Sequence, residues 1–164
     1  MHTYEGIMKK VHKIMFVCLG NICRSPMAEL IFRDMVTRAG RADEFLIASA
    51  ATCDDNVFNG VGAPVYPPMR KLLESKGISC EGKRAQILEA SDGDKYDLFL
   101  CMDDSNVRNA VRILGAKHAA KCKKLLSFAG ESGDVADPWY TRNFNAAYED
   151  VKRGLEGLFA FCKK

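Results

Sequence analysis

The sequence predicts an α/β fold: one domain of three αβα layers, with a twisted four-stranded parallel sheet flanked by about five helices and a short glycine-containing loop after the first strand. Strand and helix signals alternate along the 164 residues, which is typical of a parallel sheet. Two predicted strands, 13–18 and 96–102, are nearly continuous apolar runs. Strands covered on both faces have this character, so helices are expected on both sides of the sheet.

Four strands are predicted, at 13–18, 45–50, 96–102 and 124–128. The fourth is short and lies among the lysines at 121, 123 and 124, which suits the edge of a sheet. The segment 52–67 contains Gly and Pro residues with few apolar anchors and is expected to be a surface loop. Because it follows a strand, it is placed to line a site at the carboxyl end of the sheet.

Four helices can be placed from the spacing of apolar residues. The first follows the loop after the first strand and ends near Gly40, and the second spans about 68–77. Ser105 can cap the third. The last carries apolar residues at steps of three and four over 144–162, which predicts a long amphipathic helix packed on the sheet.

Composition excludes several classes of protein. The net charge of +3 is too small to suggest nucleic acid binding, and no apolar run is long enough for a membrane span. The seven cysteines are scattered without zinc-binding spacing, so no metal or other cofactor is expected and a cytoplasmic location is favoured. Residues 1–7 lack periodicity and are expected to be a disordered extension or an expression remnant, with the domain at 8–164.

The most informative stretch is 14–29, where a strand, a short loop and a helix start follow one another. Unpaired amides at a helix N-terminus, beside the positive end of the dipole, bind a dianionic phosphate and favour a thiolate over a thiol. Cys18 opens this loop, and Arg24 can bring its planar guanidinium over the same anion. A phosphate site that holds a nucleophile indicates a phosphatase, although the spacing alone also fits a buried cysteine near an incidental arginine.

The stretch VCLGNICRSPMAE at 17–29 resembles the active-site signature of the low-molecular-weight protein tyrosine phosphatases. SAAT at 49–52, GKRA at 82–85, LCMDDSN at 100–106 and ADPWY at 136–140 are similar to family segments in the same order, so that the resemblance covers about 11–162. It implies metal-free hydrolysis of phosphotyrosine in proteins, and of small aryl phosphates as an acid phosphatase activity, through a phosphocysteine intermediate.

The catalytic residues are expected to be Cys18 as nucleophile, Arg24 as phosphoryl-binding residue and Asp137 as general acid and then base. Taken alone, an aspartate before Pro138 is usually a turn former. The phosphate-binding loop comprises Leu19, Gly20, Asn21, Ile22, Cys23, Arg24 and Ser25.

Further residues are expected to hold this loop and the segment that carries the acid. Ser25 is expected both to cap the following helix and to hydrogen-bond the thiolate. The resemblance implies that Ser49 braces Asn21. Lys83 stands where the family has a histidine, and because lysine can donate but not accept a hydrogen bond, the hydrogen bonds that brace the loop must differ from those of the family. Asp103 and Asn106 match positions that organise the acid-bearing loop.

Three residues are expected to wall the substrate pocket. Asp55 stands where the family usually has a large aromatic residue, which removes apolar contact with a phenyl ring and adds a charge that repels acidic residues flanking the substrate. Trp139 and Tyr140 remain as aromatic walls, although such residues also serve the family as phosphorylation sites. Cys23 is expected to form a reversible disulfide with Cys18, the alternative being a buried inert thiol.

Two other functions fit parts of the sequence. An arsenate reductase shares the anion loop but passes oxidation along closely spaced cysteines, whereas Cys80, Cys101 and Cys122 are each 21 residues from the next. A phosphate-binding module without turnover would lack the nucleophile or the acid. The expected partners are tyrosine-phosphorylated proteins or peptides, phosphate, vanadate and similar oxyanions, with no nucleic acid and no membrane.

Overall fold

A four-stranded parallel sheet forms the centre of the protein, as predicted. The computed structural model describes residues 10–163. Its strands are β1 His12–Cys18, β2 Phe45–Ala51, β5 Leu98–Cys101 and β6 Cys122–Lys124, and a separate antiparallel pair is formed by β3 Val57–Phe58 and β4 Val61–Gly62. The strands of the parallel sheet stand in the order β2-β1-β5-β6, so that β1 is inside the sheet, and its last residue is Cys18.

Five α-helices occur within residues 10–163. They are α1 Arg24–Arg38, α2 Pro67–Ser75, α3 Asp104–Leu114, α4 Pro138–Thr141 and α5 Phe144–Phe161. Short 3-10 helices span Ala42–Glu44, Ala90–Asp94, Ala116–Lys121 and Leu125–Ala129.

The sheet separates two apolar cores, which gives the three layers. Alternate residues of β1 point to opposite faces, so that Phe16 packs with α1, α2 and α5 while Val17 packs with α3. Phe16 and Val17 are both fully buried. The predicted α/β class with helices on both faces is therefore confirmed.

The fourth strand was predicted in the wrong place. The strand is Cys122–Lys124, and the apolar residues that follow form the 3-10 helix Leu125–Ala129. Leu125 and Leu126 are buried against α5 rather than paired with β5. The edge position is confirmed, because β6 has only β5 beside it within the described sheet.

Two smaller expectations also needed correction. The segment 52–67 is not a plain surface loop, since it contains the β3–β4 hairpin and the buried side chain of Val65. Asp103, and not Ser105, caps α3, because its carboxylate accepts the backbone N–H of Asn106 at 2.8 Å.

The extension predicted at 1–7 lies outside the residues that the structure describes. Among the helices of 10–163, none combines the length and the apolar character that crossing a membrane requires.

Candidate active site

Cys18 lies at the carboxyl end of the central strand, where the chain turns into α1. The first turn of α1 leaves backbone N–H groups without partners inside the helix. The Cys18 sulfur lies 3.3 Å from the backbone nitrogen of Asn21 and 2.9 Å from the Ser25 hydroxyl oxygen. Two polar groups therefore meet the sulfur of a residue that is only 3% exposed.

Ser25 contacts the thiol as predicted, but it does not cap the helix. The helix begins at Arg24 with Cys23 as the residue before it, and no side chain makes the capping hydrogen bond. The Ser25 hydroxyl oxygen instead accepts a hydrogen bond from the Asn21 amide at 2.7 Å. The hydroxyl proton of Ser25 is then available to the sulfur, which suits a negatively charged sulfur.

Asn21 adopts a left-handed backbone conformation, with φ of 56°, which asparagine tolerates better than most residues. The amide nitrogen and the amide oxygen of its side chain both take part in hydrogen bonds. Its amide nitrogen donates to Ser25 and, at 2.9 Å, to the Ser49 hydroxyl, and its amide oxygen accepts the backbone N–H of Gln86 at 2.9 Å. These bonds hold the strained residue in the middle of the loop.

Lys83 braces the loop indirectly. Its ammonium lies 2.8 Å from Oε1 of Glu29, a residue of α1 that is 5% exposed. The same carboxylate oxygen accepts the Ser49 hydroxyl at 2.6 Å, and the other oxygen pairs with Arg33 at 3.1 Å. A chain of contacts thus runs from Lys83 through Glu29 and Ser49 to Asn21.

Sequence reasoning missed Glu29 and Gln86. Glu29 and Arg33 are spaced like a solvent-exposed pair on a helix, so the sequence offered no signal that the carboxylate is buried. Gln86 acts through its backbone N–H, which any residue but proline supplies. Its side-chain amide also donates to the backbone oxygen of Ser49 at 2.9 Å.

Arg24 lies beside the thiol and faces two carboxylates. Nη1 donates to Asp103 and to the backbone oxygen of Val135, both at 2.8 Å, and Nη2 lies 3.3 Å from Asp137. Burial by itself would lower the pKa of Arg24, but the negative charges around it, that of Cys18 first, raise the pKa. A permanently charged guanidinium is therefore held at the cavity floor.

Asp137 lies across the cavity from the loop, at the start of α4. One carboxylate oxygen accepts the backbone N–H of Trp139 at 3.0 Å and thereby caps α4, while the other faces Arg24. The structure thus brings the three predicted catalytic residues to one place, since Cys18, Arg24 and Asp137 all line the same cavity.

The predicted wall residues line this cavity of about 190 Å³ together with Leu19, Gly20, Ile22, Cys53 and Asn56. Trp139 is 48% exposed and rests against Tyr66, with ring centroids 4.8 Å apart. Asp55 and Tyr140 also border the cavity.

Asn56 was not identified from the sequence as a site residue, because its side chain binds the backbone of the loop. Its amide donates to the backbone oxygen of Gly20 at 3.0 Å. A side chain at position 20 would place its Cβ 2.6 Å from that amide nitrogen, so the Asn56 side chain would have to move away from the loop. The hairpin segment is in this way tied to the phosphate-binding loop.

Among the described residues, no hydrogen bond joins the side chain of Asn106 to the acid-bearing segment. Its backbone N–H is used by Asp103, but within residues 10–163 its buried side-chain amide has no hydrogen-bond partner. Asp103, by contrast, joins Arg24 to the start of α3 and so links the loop to the neighbouring helix.

The cysteines are all free thiols in this structure. Cys23 is 5% exposed, and burial, followed by the negative charges of Cys18 and Asp137, raises its pKa to about 12. Cys80 lies in one core while Cys101 and Cys122 lie in the other. The described residues contain no group of three or more His, Cys, Asp or Glu side chains that could hold a metal ion.

Comparison with known proteins agrees with this geometry. A family model described as low molecular weight phosphotyrosine protein phosphatase matches residues 13–164. The chain is 36% identical over 153 residues to the low molecular weight protein-tyrosine-phosphatase YfkJ of Bacillus subtilis, covering 92% of this chain and 96% of that protein. It is 34% identical over 152 residues to PtpA of Staphylococcus aureus, with 92% and 94% covered.

Solved structures give the same result. The crystal structure of YfkJ has a TM-score of 0.88 at 35% identity and covers 94% of this chain and 96% of its own. DARP, a Drosophila arginine phosphatase, has a TM-score of 0.82 at 27% identity, with 93% and 98% covered. These matches favour a phosphatase over an arsenate reductase. The chain belongs to the low-molecular-weight phosphotyrosine protein phosphatase family, and it is a protein-tyrosine phosphatase of that class, as the sequence motifs implied.

Proposed function

We propose that this protein hydrolyses phosphotyrosine in proteins, with Cys18 as the nucleophile that takes the phosphoryl group. The observation that carries the proposal is the surrounding of the Cys18 sulfur. It lies at the floor of a cavity, in contact with the Asn21 N–H and the Ser25 hydroxyl, with Arg24 and Asp137 lining the same space. Donors around a sulfur stabilise the thiolate that attacks phosphorus.

In the first step the loop amides and Arg24 bind the phosphoryl oxygens. The guanidinium is anchored from behind by Asp103 and the Val135 carbonyl, which leaves Nη2 directed toward the cavity and Asp137. A dianionic phosphoryl group competes with Asp137 for this cation. Charge that develops on the equatorial oxygens then meets donors that are already oriented.

Bond cleavage requires a proton on the leaving oxygen, because a tyrosine phenolate is a strong base. We assign this role to Asp137, whose side chain lines the same cavity as Cys18. Its carboxylate is held by the Trp139 N–H at the start of α4, so the side chain is aimed by a fixed helix end.

The second step releases phosphate from the phosphocysteine. Asp137, deprotonated by the first step, takes a proton from the attacking water, and the Cys18 sulfur departs as a thiolate. Ser25 donates its hydroxyl proton to that sulfur, because a thiolate has no proton of its own and can only accept. The same hydrogen bond thus supports both the attacking and the departing sulfur.

The cavity lining favours an aryl phosphate over a phosphoguanidinium. Ile22 and Trp139 offer apolar surface beside the phosphate site, whereas a guanidinium carries N–H groups that Ile22 cannot accept. The Drosophila relative is an arginine phosphatase, and Asp55 offers one carboxylate at the rim, so phosphoarginine is the appropriate competing substrate.

The test is hydrolysis of a phosphotyrosyl peptide and of its phosphoarginyl counterpart. We expect the phosphotyrosyl peptide to have the higher kcat/KM, vanadate to inhibit, and EDTA to have no effect. Cys18→Ser should abolish turnover, and Asp137→Asn should lower kcat/KM by about 10²–10⁴-fold. Turnover that persists in Cys18→Ser, or is lost with EDTA, would contradict the proposed mechanism.

A further inference from the structure

The segment that carries Asp137 has few apolar anchors. Between Gly130 and Asp137 only Val135 is buried, and the other side chains are exposed or half-buried. A segment of this kind is not fixed by packing alone. Its position must therefore depend on the polar contacts that hold it.

Lys124, the last residue of β6, makes three such contacts. Its ammonium lies 3.0 Å from Oδ1 of Asp134 and 3.1 Å from Oδ1 of Asp104, and it donates to the backbone oxygen of Ser132 at 2.5 Å. Oδ1 of Asp134 also accepts the backbone N–H of Asp104 at 3.3 Å. The Lys124 side chain is 15% exposed, whereas those of Asp134 and Asp104 are 45% and 65% exposed.

The residue after Asp134 links these contacts to the candidate active site. Val135, the next residue after Asp134, donates its N–H to the backbone oxygen of Met102 at 2.8 Å and accepts Nη1 of Arg24 at 2.8 Å. Three residue steps, at most about 10 Å of chain, separate Asp134 from Asp137. A shift of the segment at Asp134 is therefore passed on to Asp137.

We propose that Lys124 is a positioning residue that sets the place of the Asp137 carboxylate at the leaving group. The inference rests on the proposed function of Asp137 as the proton donor. Without the ammonium, the carboxylates of Asp104 and Asp134 repel each other and the segment is released. A displacement of about 1 Å costs a reaction up to about 10²-fold when it moves a reacting group.

The test compares two leaving groups. Phenyl phosphate releases a phenolate as basic as that of tyrosine and needs the proton, whereas 4-nitrophenyl phosphate releases a weak base that does not. For Lys124→Met we expect kcat/KM to fall about ten-fold for phenyl phosphate and less than about two-fold for 4-nitrophenyl phosphate. Lys124→Arg should restore most of the loss, and Lys123→Met, a change at the exposed neighbour, should leave both values unchanged.

Asp134→Asn provides a second variant that keeps the shape of the side chain. It weakens the ion pair with Lys124 but retains an acceptor for the Asp104 N–H, so we expect the same dependence on the leaving group with a loss of about three-fold. This variant decides the matter if Lys124→Met does not fold, as judged by thermal unfolding. Losses that are equal for both substrates, or absent, would overturn the proposal.

Failure of the proposed function would look different. Asp137→Asn must itself show the strong dependence on the leaving group, and Cys18→Ser must abolish hydrolysis of both substrates. If either fails, the general acid or the nucleophile is wrongly assigned. If both succeed while Lys124→Met loses activity evenly, only the role of Lys124 is wrong.

Discussion

At the scale of single residues, Cys18 and Cys23 lie on one short loop but differ in chemistry. Cys18 contacts polar groups at the cavity floor, whereas burial and then the nearby negative charges raise the pKa of Cys23 to about 12. A thiol with so high a pKa is protonated near neutral pH and does not compete for phosphorus. It can still react slowly with an oxidised neighbour.

This difference leads to a prediction about oxidation. Peroxide converts the Cys18 thiolate to a sulfenic acid, and the Cys23 thiolate can displace water from it to form a disulfide. Because the pKa of Cys23 is raised, its thiolate fraction grows about ten-fold per pH unit below that value. After peroxide and then reductant, the parent should recover more activity than Cys23→Ser, and the difference should be larger at about pH 8 than at about pH 6. Equal recovery at both pH values would remove the protective role.

Asp55 supports a second prediction at this scale. It borders the cavity where an aromatic residue would cover a phenyl ring. Burying that ring against tryptophan contributes about 0.5–1.5 kcal/mol, so Asp55→Trp should lower KM for aryl phosphates several-fold. Asp54→Trp is the matched control, since Asp54 is exposed and does not line the cavity. If kcat/KM is the same in both variants, the proposed gap in the wall does not exist.

At the scale of secondary structure elements, the loop between β1 and α1 is held by contacts that come from other elements. Ser49 belongs to β2, Glu29 to α1 itself, and Lys83 and Gln86 to the segment before the 3-10 helix at 90–94. These contacts converge on Asn21, which has a left-handed conformation in the middle of the loop. We infer that they preserve the geometry of the site in the absence of substrate.

A prediction follows for Lys83. Lys83→Met leaves the buried Glu29 carboxylate with Arg33 and Ser49 only, and an under-paired buried charge costs several kcal/mol. We expect the free energy of unfolding in urea to fall by about 1–3 kcal/mol and kcat to fall while KM changes little. Lys71→Met, an exposed lysine on α2, is the control. An unchanged kcat in Lys83→Met would show that this ion pair does not brace the loop.

At the scale of the whole molecule, the sequence predicted the fold wherever one interaction dominated. The run 13–18 is buried on both faces by α1 and α3, so apolar content alone located the strand and the loop after it. The run 124–128 is also partly apolar but packs against α5, where Gly157 lets the backbone at Phe128 approach closely. Whether such a run forms a strand or a 3-10 helix depends on this distant packing, which local pattern does not record.

The candidate site shows the same limit. Cys18 and Arg24 were predicted from their spacing and neighbours and Asp137 from the family resemblance, and the structure places all three around one cavity. Glu29 and Gln86 were missed, because each contacts the loop network through a partner that is remote in sequence. Such residues look like ordinary helix or loop residues until the fold brings the partners together.

The central claim is that the sulfur of Cys18 bonds to phosphorus during turnover, and rapid acid quenching during hydrolysis of a phosphotyrosyl peptide tests it most directly. Peptide mapping of the quenched enzyme by mass spectrometry should locate a phosphoryl group on Cys18, and the modified fraction should rise in Asp137→Asn with 4-nitrophenyl phosphate, because water attack then lacks its base. Turnover without any phosphoryl group on Cys18 would contradict the account.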